Sequence, residues 1–238
     1  MEYAVEMKGI TMQFPAVRAN DNVDFSVKKG EIHALVGENG AGKSTLMNIL
    51  YGLYQPTAGE IWVNGSKMEF RSALDAIKTG IGMVHQHFML IPRLTVAENI
   101  VLGAEPKRRG MLDRKKASRL VEELSEKYNF TLPAKAVVRD ISLGMQQRVE
   151  IAKALYRKAD IIILDEPTAV LTPQEIDELG AMLRHLKEIG KTVIIITHKM
   201  KEIMDFSDRI TVLRAGKKVV TVNTADMTAV DVLSLIHI

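Results

Sequence analysis

Nine residues, GENGAGKST at positions 37–45, combine three glycines, a lysine and two hydroxyl side chains in a spacing that suits a chain of phosphates. The glycines let the backbone curl so that successive N–H groups can surround phosphate oxygens, and Lys43 adds a positive charge for the terminal phosphates. The hydroxyl of Ser44 can ligate Mg²⁺. Because a strand-like run precedes this segment and a helix-like run follows it, the segment predicts a phosphate-binding loop rather than a structural glycine turn.

Two consecutive acids, Asp165 and Glu166, end the apolar run IIILDEP at positions 161–167. Ligands of open α/β sheets bind at the carboxyl ends of the strands, so the two acids stand where they could act on a bound ligand. Asp165 is placed to hold Mg²⁺ through water, and Glu166 to orient or deprotonate an attacking water. The alternative is a solvated turn of two acids after a strand.

A third segment, ISLGMQQRVEIAKAL at 141–155, places Ser142 and a glycine at the start of an amphipathic helix. A helix N-terminus has unpaired N–H groups and a partial positive charge, so Ser142, Gly144 and the backbone around them can contact an anion. A serine that only caps a surface helix is the other interpretation. These residues alone leave both open.

The remaining polar candidates are weaker when each is taken alone. His198 is the last residue of the strand-like run VIIITH, and MVHQHF places Gln86 at the end of another strand. A histidine at a strand end is more often structural than catalytic. His33, inside the strand before the glycine-rich segment, is expected to be buried with its hydrogen bonds satisfied. The run KRRGMLDRKK at 107–116 is expected to be a solvated basic loop, with an anionic lipid or a phosphate as the alternative ligand.

Composition limits the class of protein. The chain has 238 residues, of which 47% are hydrophobic, so one large α/β domain or two small ones are expected. The net charge of +3 is mild and the basic residues are interleaved with acids, so no nucleic-acid partner is indicated. The lack of cysteine excludes disulfides, thiolate metal sites and a cysteine nucleophile. All apolar runs are strand-sized, so we expect neither a signal peptide nor a membrane span.

Hydrophobic periodicity predicts the scaffold that must position these residues. Strand-like runs fill the first part of the chain: YAVEMKGITMQF, NVDFSVKKG, EIHALVGE and a short strand at GEIWVNGSKM. From about position 91 to 155 the pattern is helical. The runs IIILDEP and TVIIITH then flank the amphipathic helix TPQEIDELGAMLRHLKEIG. Continuous Ile/Val runs that alternate with helices predict a parallel sheet covered on both faces.

Together these segments resemble the nucleotide-binding domain of ATP-binding cassette (ABC) proteins over nearly the whole chain. The resemblance implies an α/β P-loop NTPase fold with a RecA-like parallel-sheet core, an N-terminal antiparallel β subdomain and an inserted helical subdomain. Residues 1–238 would form one domain. Its parts would be the nucleotide core with the β subdomain (about 1–90), the helical signature subdomain (about 91–157), a second part of the core (about 158–222) and a tail (223–238). That second part would hold the family's Walker B aspartate, Asp165, and its switch histidine, His198.

The same resemblance implies a role for each site residue. The implied catalytic residues are Glu166, His198 and Gln86, and the implied Mg²⁺ ligands are Ser44, Gln86 and Asp165. The implied ATP-binding residues are Phe14, Gly37, Asn39, Gly40, Ala41, Gly42, Lys43, Ser44, Thr45, Ser142, Gly144 and Gln146. The segment 142–146 looks like the family's signature motif, which contacts the γ-phosphate of ATP held by a partner domain. Phe14 sits where the family stacks an aromatic ring on adenine, and a core phenylalanine is an equal alternative.

Two positions depart from the usual family pattern. Leu143 replaces the first glycine of the signature, and Met145 separates Gly144 from Gln146. Thr172 stands where the family commonly has an aspartate in the loop after Walker B. These departures bear on the strength of the contact with the partner domain.

Two segments, SLGMQQRVEIAKALYRKAD at 142–160 and LDEPTAVLTPQE at 164–175, are similar to those of importer ATPases for simple sugars and, more closely, nucleosides. That similarity implies an ATPase at the cytoplasmic face of the membrane. Its implied partners are a second nucleotide-binding domain, membrane permease subunits and, indirectly, a solute-binding protein. In that group two such domains follow each other in one chain, and this chain resembles the first. We expect a further helix after VLRAGKKVVTVNT and leave the last residues, SLIHI, out of the fold prediction.

Three alternatives stay open at this point. A short subunit that pairs with a second copy of itself competes with the tandem arrangement. A soluble, non-transport ABC ATPase acting on ribosomes or DNA is the rival class of function. A nucleotide-binding module without turnover would need no partner.

Overall fold

The computed structural model describes residues 2–237, and that part of the chain contains twelve strands and eight α-helices. The strands are β1 (Tyr3–Gln13), β2 (Arg18–Lys28), β3 (Ile32–Val36), β4 (Ala58–Val63), β5 (Ser66–Met68), β6 (Ile81–Val84), β7 (Lys107–Arg108), β8 (Met111–Leu112), β9 (Ile161–Asp165), β10 (Thr192–Ile196), β11 (Arg209–Arg214) and β12 (Lys217–Asn223). The helices are α1 (Lys43–Leu50), α2 (Ala73–Lys78), α3 (Val96–Val101), α4 (Arg114–Lys127), α5 (Leu143–Tyr156), α6 (Pro173–Glu188), α7 (Met200–Phe206) and α8 (Ala229–His237).

A six-stranded sheet in the order β12-β11-β3-β10-β9-β6 forms the centre of the fold. The five strands from β11 to β6 are parallel, and β12 joins the edge as the antiparallel partner of β11. Parallel neighbours need crossover connections, and helices supply them between these strands. The predicted P-loop NTPase fold class is therefore confirmed, with one antiparallel edge strand added.

Both faces of the central sheet are buried, which explains the continuous Ile/Val runs. In β9, Ile162 and Leu164 pack into a core shared with α3 to α6. Their neighbours Ile161 and Ile163 pack on the opposite face with α1, α2 and the N-terminal strands. Alternate residues of one strand thus belong to two different cores, because successive side chains point to opposite faces.

A second sheet, in the order β2-β1-β4-β5, is antiparallel and covers one side of the core. The short strand expected at GEIWVNGSKM is in fact the hairpin of β4 and β5. Asn64 and Gly65 form its turn with φ of 50° and 79°. Positive φ at both turn residues suits a tight hairpin, and Asn-Gly is the pair that adopts it most readily.

The segment from α3 to α5 is mainly helical, with one difference from the expectation. The basic run at 107–116 was expected as a loop, but its first part forms the small hairpin of β7 and β8, and α4 begins at Arg114. Asp113 starts this helix because its carboxylate accepts from the backbone N–H of Lys116 at 3.0 Å. Within the described residues 2–237, no helix has the length and apolar content needed to cross a bilayer.

The expected helix after β12 is present as α8. It includes most of the SLIHI segment, for which the sequence makes no fold prediction. Val232 and Ile236 are buried, at 0% and 5% exposure, in a core that they share with β11 and α7. These apolar side chains give α8 a packed face, so this part of the segment contributes to the fold.

Candidate functional site

The glycine-rich loop connects the buried strand β3 to α1. Gly37 and Gly42 have φ of 152° and 96°. A Cβ atom at Gly37 would lie 2.1 Å from the carbonyl oxygen of Leu213, and one at Gly42 would lie 2.3 Å from that of Ala19. The loop therefore needs glycine at both positions, for its backbone angles and for its close approach to neighbouring backbone.

Lys43, the first residue of α1, is directed back over this loop. Its ammonium group donates to the carbonyl oxygens of Gly37 and Glu38, both at 2.8 Å, and the residue is only 7% exposed. Burial lowers the pKa of Lys43, and the nearby charges of Glu166 and Asp165 oppose that effect. The first turn of α1 carries no acidic residue, and no side chain caps its N-terminus. A loop with this cation and an uncapped helix start suits an anion.

Asn20 supports the loop from β2 and was not among the residues found from the sequence. It is fully buried, and its side-chain amide donates to the carbonyl oxygen of Gly42 at 3.2 Å. Its side-chain oxygen is buried without a hydrogen-bond partner in the described part of the chain. No sequence pattern links Asn20 to a loop 22 positions further on, so only the fold reveals this contact.

Asp165 ends β9 beside the loop. Burial raises the pKa of Asp165, and so does the charge of Glu166. A hydrogen bond with the Ser44 side chain and the charges of His85 and Lys43 act in the opposite direction. The two side chains proposed for the metal, Ser44 and Asp165, therefore lie close to each other. A half-buried carboxylate beside a hydroxyl is a donor set suited to a hard divalent cation.

Glu166 follows Asp165 in the chain, and its carboxylate contacts the other two residues predicted to be catalytic. Its Oε2 lies 3.4 Å from the side-chain amide nitrogen of Gln86, and its Oε1 lies 3.1 Å from Nδ1 of His198. The backbone of Glu166 has φ of 46°, an uncommon value for a residue with a side chain, and its N–H donates to Ile196 at 2.9 Å. Unusual backbone angles of this kind concentrate at functional sites.

Four further predicted nucleotide-binding residues belong to the glycine-rich loop and the first turn of α1, whereas Phe14 lies elsewhere in the chain. Asn39 and Gly40 are exposed, Ala41 is buried and Thr45 is half-buried. Phe14 follows β1 and is half-buried, with its ring edge-to-face against Tyr54 at a centroid distance of 5.7 Å. This contact leaves both roles open, adenine stacking and packing.

Ser142, Gly144 and Gln146 form a separate cluster at the start of α5. Ser142 is the N-cap residue, and its hydroxyl oxygen accepts from the backbone N–H of Met145 at 3.2 Å. The side-chain amide of Gln146 donates to the carbonyl oxygen of Ile141 at 3.2 Å. The capped helix that the sequence allowed is therefore present, and this leaves an additional anion contact open.

Glu175, in the first turn of α6, is a further residue of this cluster that the sequence did not point to. Its Oε1 accepts from the hydroxyl of Ser142 at 3.1 Å and from the N–H of Gly144 at 3.2 Å. The T-x-x-E pattern from Thr172 to Glu175 predicts a helix cap, which is present. Its contact with α5, more than thirty positions earlier in the chain, has no sequence signal.

Comparison with protein families finds the ABC transporter family, whose pattern matches residues 20–169. The guanosine import ATP-binding protein NupO of Bacillus subtilis (strain 168) is 56% identical over 235 residues, which are 99% of this chain and 46% of NupO. The nucleoside import ATP-binding protein NupA of Lactococcus lactis subsp. cremoris (strain MG1363) is 54% identical over 95% of this chain and 45% of NupA. The chain thus spans about half the length of the curated relatives it matches.

Solved structures show the same fold. The ATP-binding cassette MJ0796, in a dimeric post-hydrolysis state bound to ADP and Pi, superposes with a TM-score of 0.77 at 31% identity. The match covers 92% of this chain and 98% of that structure's chain.

Proposed function

The chain belongs to the ABC transporter family, and from this premise we propose that it is the ATP-hydrolysing subunit of an importer for a nucleoside or a simple sugar. The observation that carries the proposal is the position of Glu166, between Gln86 and His198 and next to Asp165, at the strand end beside the glycine-rich loop. A carboxylate at this place can act on a water near the terminal phosphate of a nucleotide held by the loop.

The residues present fit ATP and Mg²⁺. The uncapped N-terminus of α1 and the cation of Lys43 suit the phosphates, and the orphaned oxygen of Asn20 beneath the loop is a polar group that ligand binding can reorganise. Ser44 and Asp165 would hold Mg²⁺, with Gln86 as a third ligand. When bound, the ion would supply positive charge that stabilises the charge developing on the phosphates.

Glu166 would be the general base of hydrolysis. It would accept a proton from the water that attacks the γ-phosphorus, while the bond to the β-phosphate oxygen breaks to give ADP and phosphate. His198 would hold the carboxylate in place through its present contact at 3.1 Å. Gln86 would bring the metal and the base together, since its amide already contacts Glu166.

A second nucleotide-binding domain would complete the site. The start of α5, with Ser142 and Gly144, makes its hydrogen bonds with α6 and within its own turn, and none of these bonds involves the glycine-rich loop. This separation supports a role of the segment toward ATP bound elsewhere. The dimeric state of MJ0796 supports pairing of this kind. The partner would be a tandem half, because the relatives are about twice as long, or a second copy of this chain.

The names of the relatives support the importer class. Guanosine and nucleoside import are the activities in the names of NupO and NupA, and related chains are named for ribose and xylose import. On this basis the chain would act peripherally at the cytoplasmic face of the membrane, with permease subunits and a solute-binding protein as further partners. A soluble ABC ATPase acting on ribosomes or DNA is the alternative, and no relative named above supports it.

ATP binding by the chain tests the phosphate-loop assignment. We expect Lys43→Ala to abolish most ATP binding in titration calorimetry with Mg²⁺, because the phosphates lose the ammonium group that lies over the loop. Lys187→Ala is the matched control, because Lys187 of α6 forms its ion pair with Asp208, at 2.6 Å, and not with the loop. Equal ATP affinity in Lys43→Ala and Lys187→Ala would contradict the assignment.

Coupling to transport separates the two classes of function. We expect ATP turnover of the chain to rise when it is reconstituted with its permease subunits and a solute-loaded binding protein. Stimulation by ribosomes or DNA instead, with no response to permease, would support the soluble alternative.

A further inference from the structure

One carboxylate occupies the two donors at the start of α5. Oε1 of Glu175 accepts from the hydroxyl of Ser142 at 3.1 Å and from the backbone N–H of Gly144 at 3.2 Å. Both donors belong to the segment proposed above to bind the γ-phosphate of a partner's ATP. A carboxylate and a phosphate are both anionic acceptors, so they compete for the same N–H and O–H groups.

Glu175 is held in this position by its own helix. Its Oε2 accepts from the backbone N–H and the hydroxyl of Thr172, at 3.0 and 3.1 Å, in the capping box of α6. These bonds, with those from Ser142 and Gly144, keep the pKa of Glu175 below its ordinary value, so its carboxylate carries a negative charge at neutral pH.

The close approach depends on the glycine at position 144. A Cβ atom at Gly144 would lie 2.4 Å from Oε1 and 2.5 Å from Cδ of Glu175. The space that a glycine leaves open at the start of α5 is therefore filled by the side chain of Glu175. An incoming phosphate would need this space and these donors.

We propose that Glu175 blocks the start of α5 in the single chain and must move away before the γ-phosphate of a partner's ATP can bind there. This inference rests on the proposed function. Glu175 would act as a positioning residue: it holds the signature segment in order while the two domains are apart, and it opposes their closure. The carboxylate of Glu175 and the γ-phosphate cannot both accept from the same two donors, and their negative charges would repel each other.

The competing view is that Glu175 only caps α6. A structural cap predicts that any change of Glu175 weakens ATP-dependent pairing or leaves it unchanged. Competition predicts stronger ATP-dependent pairing, because loss of the charge of Glu175 removes an obstacle to the phosphate. The direction of the effect therefore separates the two views.

The test measures ATP-dependent dimerisation by sedimentation in chains that carry Glu166→Gln to slow hydrolysis. Glu175→Gln keeps the capping box, since glutamine also serves at this position, but it removes the charge. We expect its dimer dissociation constant to be about three- to thirtyfold lower, the range of a charge at a helix N-terminus acting twice in a pair. ATP affinity of the monomer should not change.

Glu178→Gln is the matched control. Glu178 lies one turn further along α6 and forms an ion pair with Arg148 of α5, so its change removes the same charge from the same helix pair without touching Ser142 or Gly144. We expect pairing of this variant to stay as it is. Glu175→Asp is a second variant: an aspartate caps α2 at the equivalent position, as Asp75 does, but its shorter side chain would not reach α5. It should strengthen pairing as well.

Each outcome has a distinct meaning. A dimer that forms but is unchanged or weaker in both Glu175 variants would overturn the competition and leave the proposed function intact. Equal strengthening by Glu178→Gln would also overturn it, since a general charge effect would then suffice. The absence of an ATP-dependent dimer in every variant would contradict the proposed function and this inference together.

Discussion

Both carboxylate oxygens of Glu166 have a partner, Gln86 on one side and His198 on the other. If this carboxylate is the general base, Glu166→Gln should keep ATP binding and lose turnover by roughly 10²-fold or more, the usual scale for a positioned base. Steady-state ATPase assays and titration calorimetry measure the two quantities separately. Unchanged turnover in Glu166→Gln, with ATP still bound, would remove Glu166 from this role and make His198 the candidate base.

The buried pair of His33 and Glu31 predicts acid sensitivity of the fold. Nδ1 of His33 lies 2.9 Å from Glu31, and Nε2 lies 2.8 Å from the hydroxyl of Thr211. A neutral ring with its proton on Nδ1 satisfies both contacts. Burial lowers the pKa of His33, and the contact with His33 is the main cause that lowers the pKa of Glu31 against its own burial.

Both shifts destabilise the fold as pH falls. The unfolded chain takes up a proton at His33 below about pH 6.5 while the folded chain does not, so stability is lost as pH falls below that value. Protonation of Glu31 extends the loss below about pH 4.5. Urea unfolding between about pH 7.5 and 5.5 should show a larger loss of stability in the wild type than in His33→Gln. An equal loss in both chains would contradict the assignment of a neutral His33.

At the scale of elements, the turn from β3 to α1 distinguishes two glycines that the sequence pattern treats alike. Gly40→Ala introduces a side chain at φ of 83° with nothing within 4 Å, so its expected cost is about 1–2 kcal/mol. Gly42→Ala would also place Cβ 2.3 Å from the carbonyl oxygen of Ala19 and 2.6 Å from the side chain of Asn20. It should cost at least about 1–3 kcal/mol more, because backbone must move.

Urea denaturation of the two glycine variants measures this difference, and titration with ATP shows its effect on binding. Gly42→Ala should lose most of its ATP affinity, since the loop is held against β2 through that glycine. Equal stability of Gly40→Ala and Gly42→Ala would show that the loop can shift away from β2 without penalty.

The elements that could be predicted from the sequence are those that a local pattern of residues specifies. The strands β3, β9 and β10 are continuous apolar runs, and their neighbours in the sheet require them to be buried on both faces. The hairpin of β7 and β8 was missed because its short strands carry no apolar alternation. The cap of α4 by Asp113 was missed because a basic run around it dominated the pattern.

At the site, too, the sequence shows local motifs but not contacts between distant positions. The loop at 37–45 and the acids of β9 were found because each motif is local in sequence. Asn20 beneath Gly42 and Glu175 against Ser142 are pairs 22 and 33 positions apart, and only the fold brings them together. The contact of Glu166 with Gln86 spans 80 positions. The family resemblance suggested those roles, whereas residue spacing alone could not.

The whole molecule, on the proposed function, is one half of an ATP-driven pair. The glycine-rich loop exposes Asn39, Gly40 and Ser44, and the start of α5 makes its hydrogen bonds to α6 instead of to this loop. Each of them would be completed by the opposite segment of a partner. This claim predicts that damage to α5 leaves ATP binding to the single chain intact and removes pairing.

Analytical ultracentrifugation with ATP tests this pairing in chains that carry Glu166→Gln, with and without Ser142→Arg. We expect a dimer in the first chain and a monomer in the second, with the same ATP affinity, because the arginine side chain fills the space at the start of α5. Ser234→Arg adds the same group on the exposed face of α8 and should leave the dimer intact. An unaltered ATP-dependent dimer with Ser142→Arg would show that the segment is only a capped helix, and it would contradict the account.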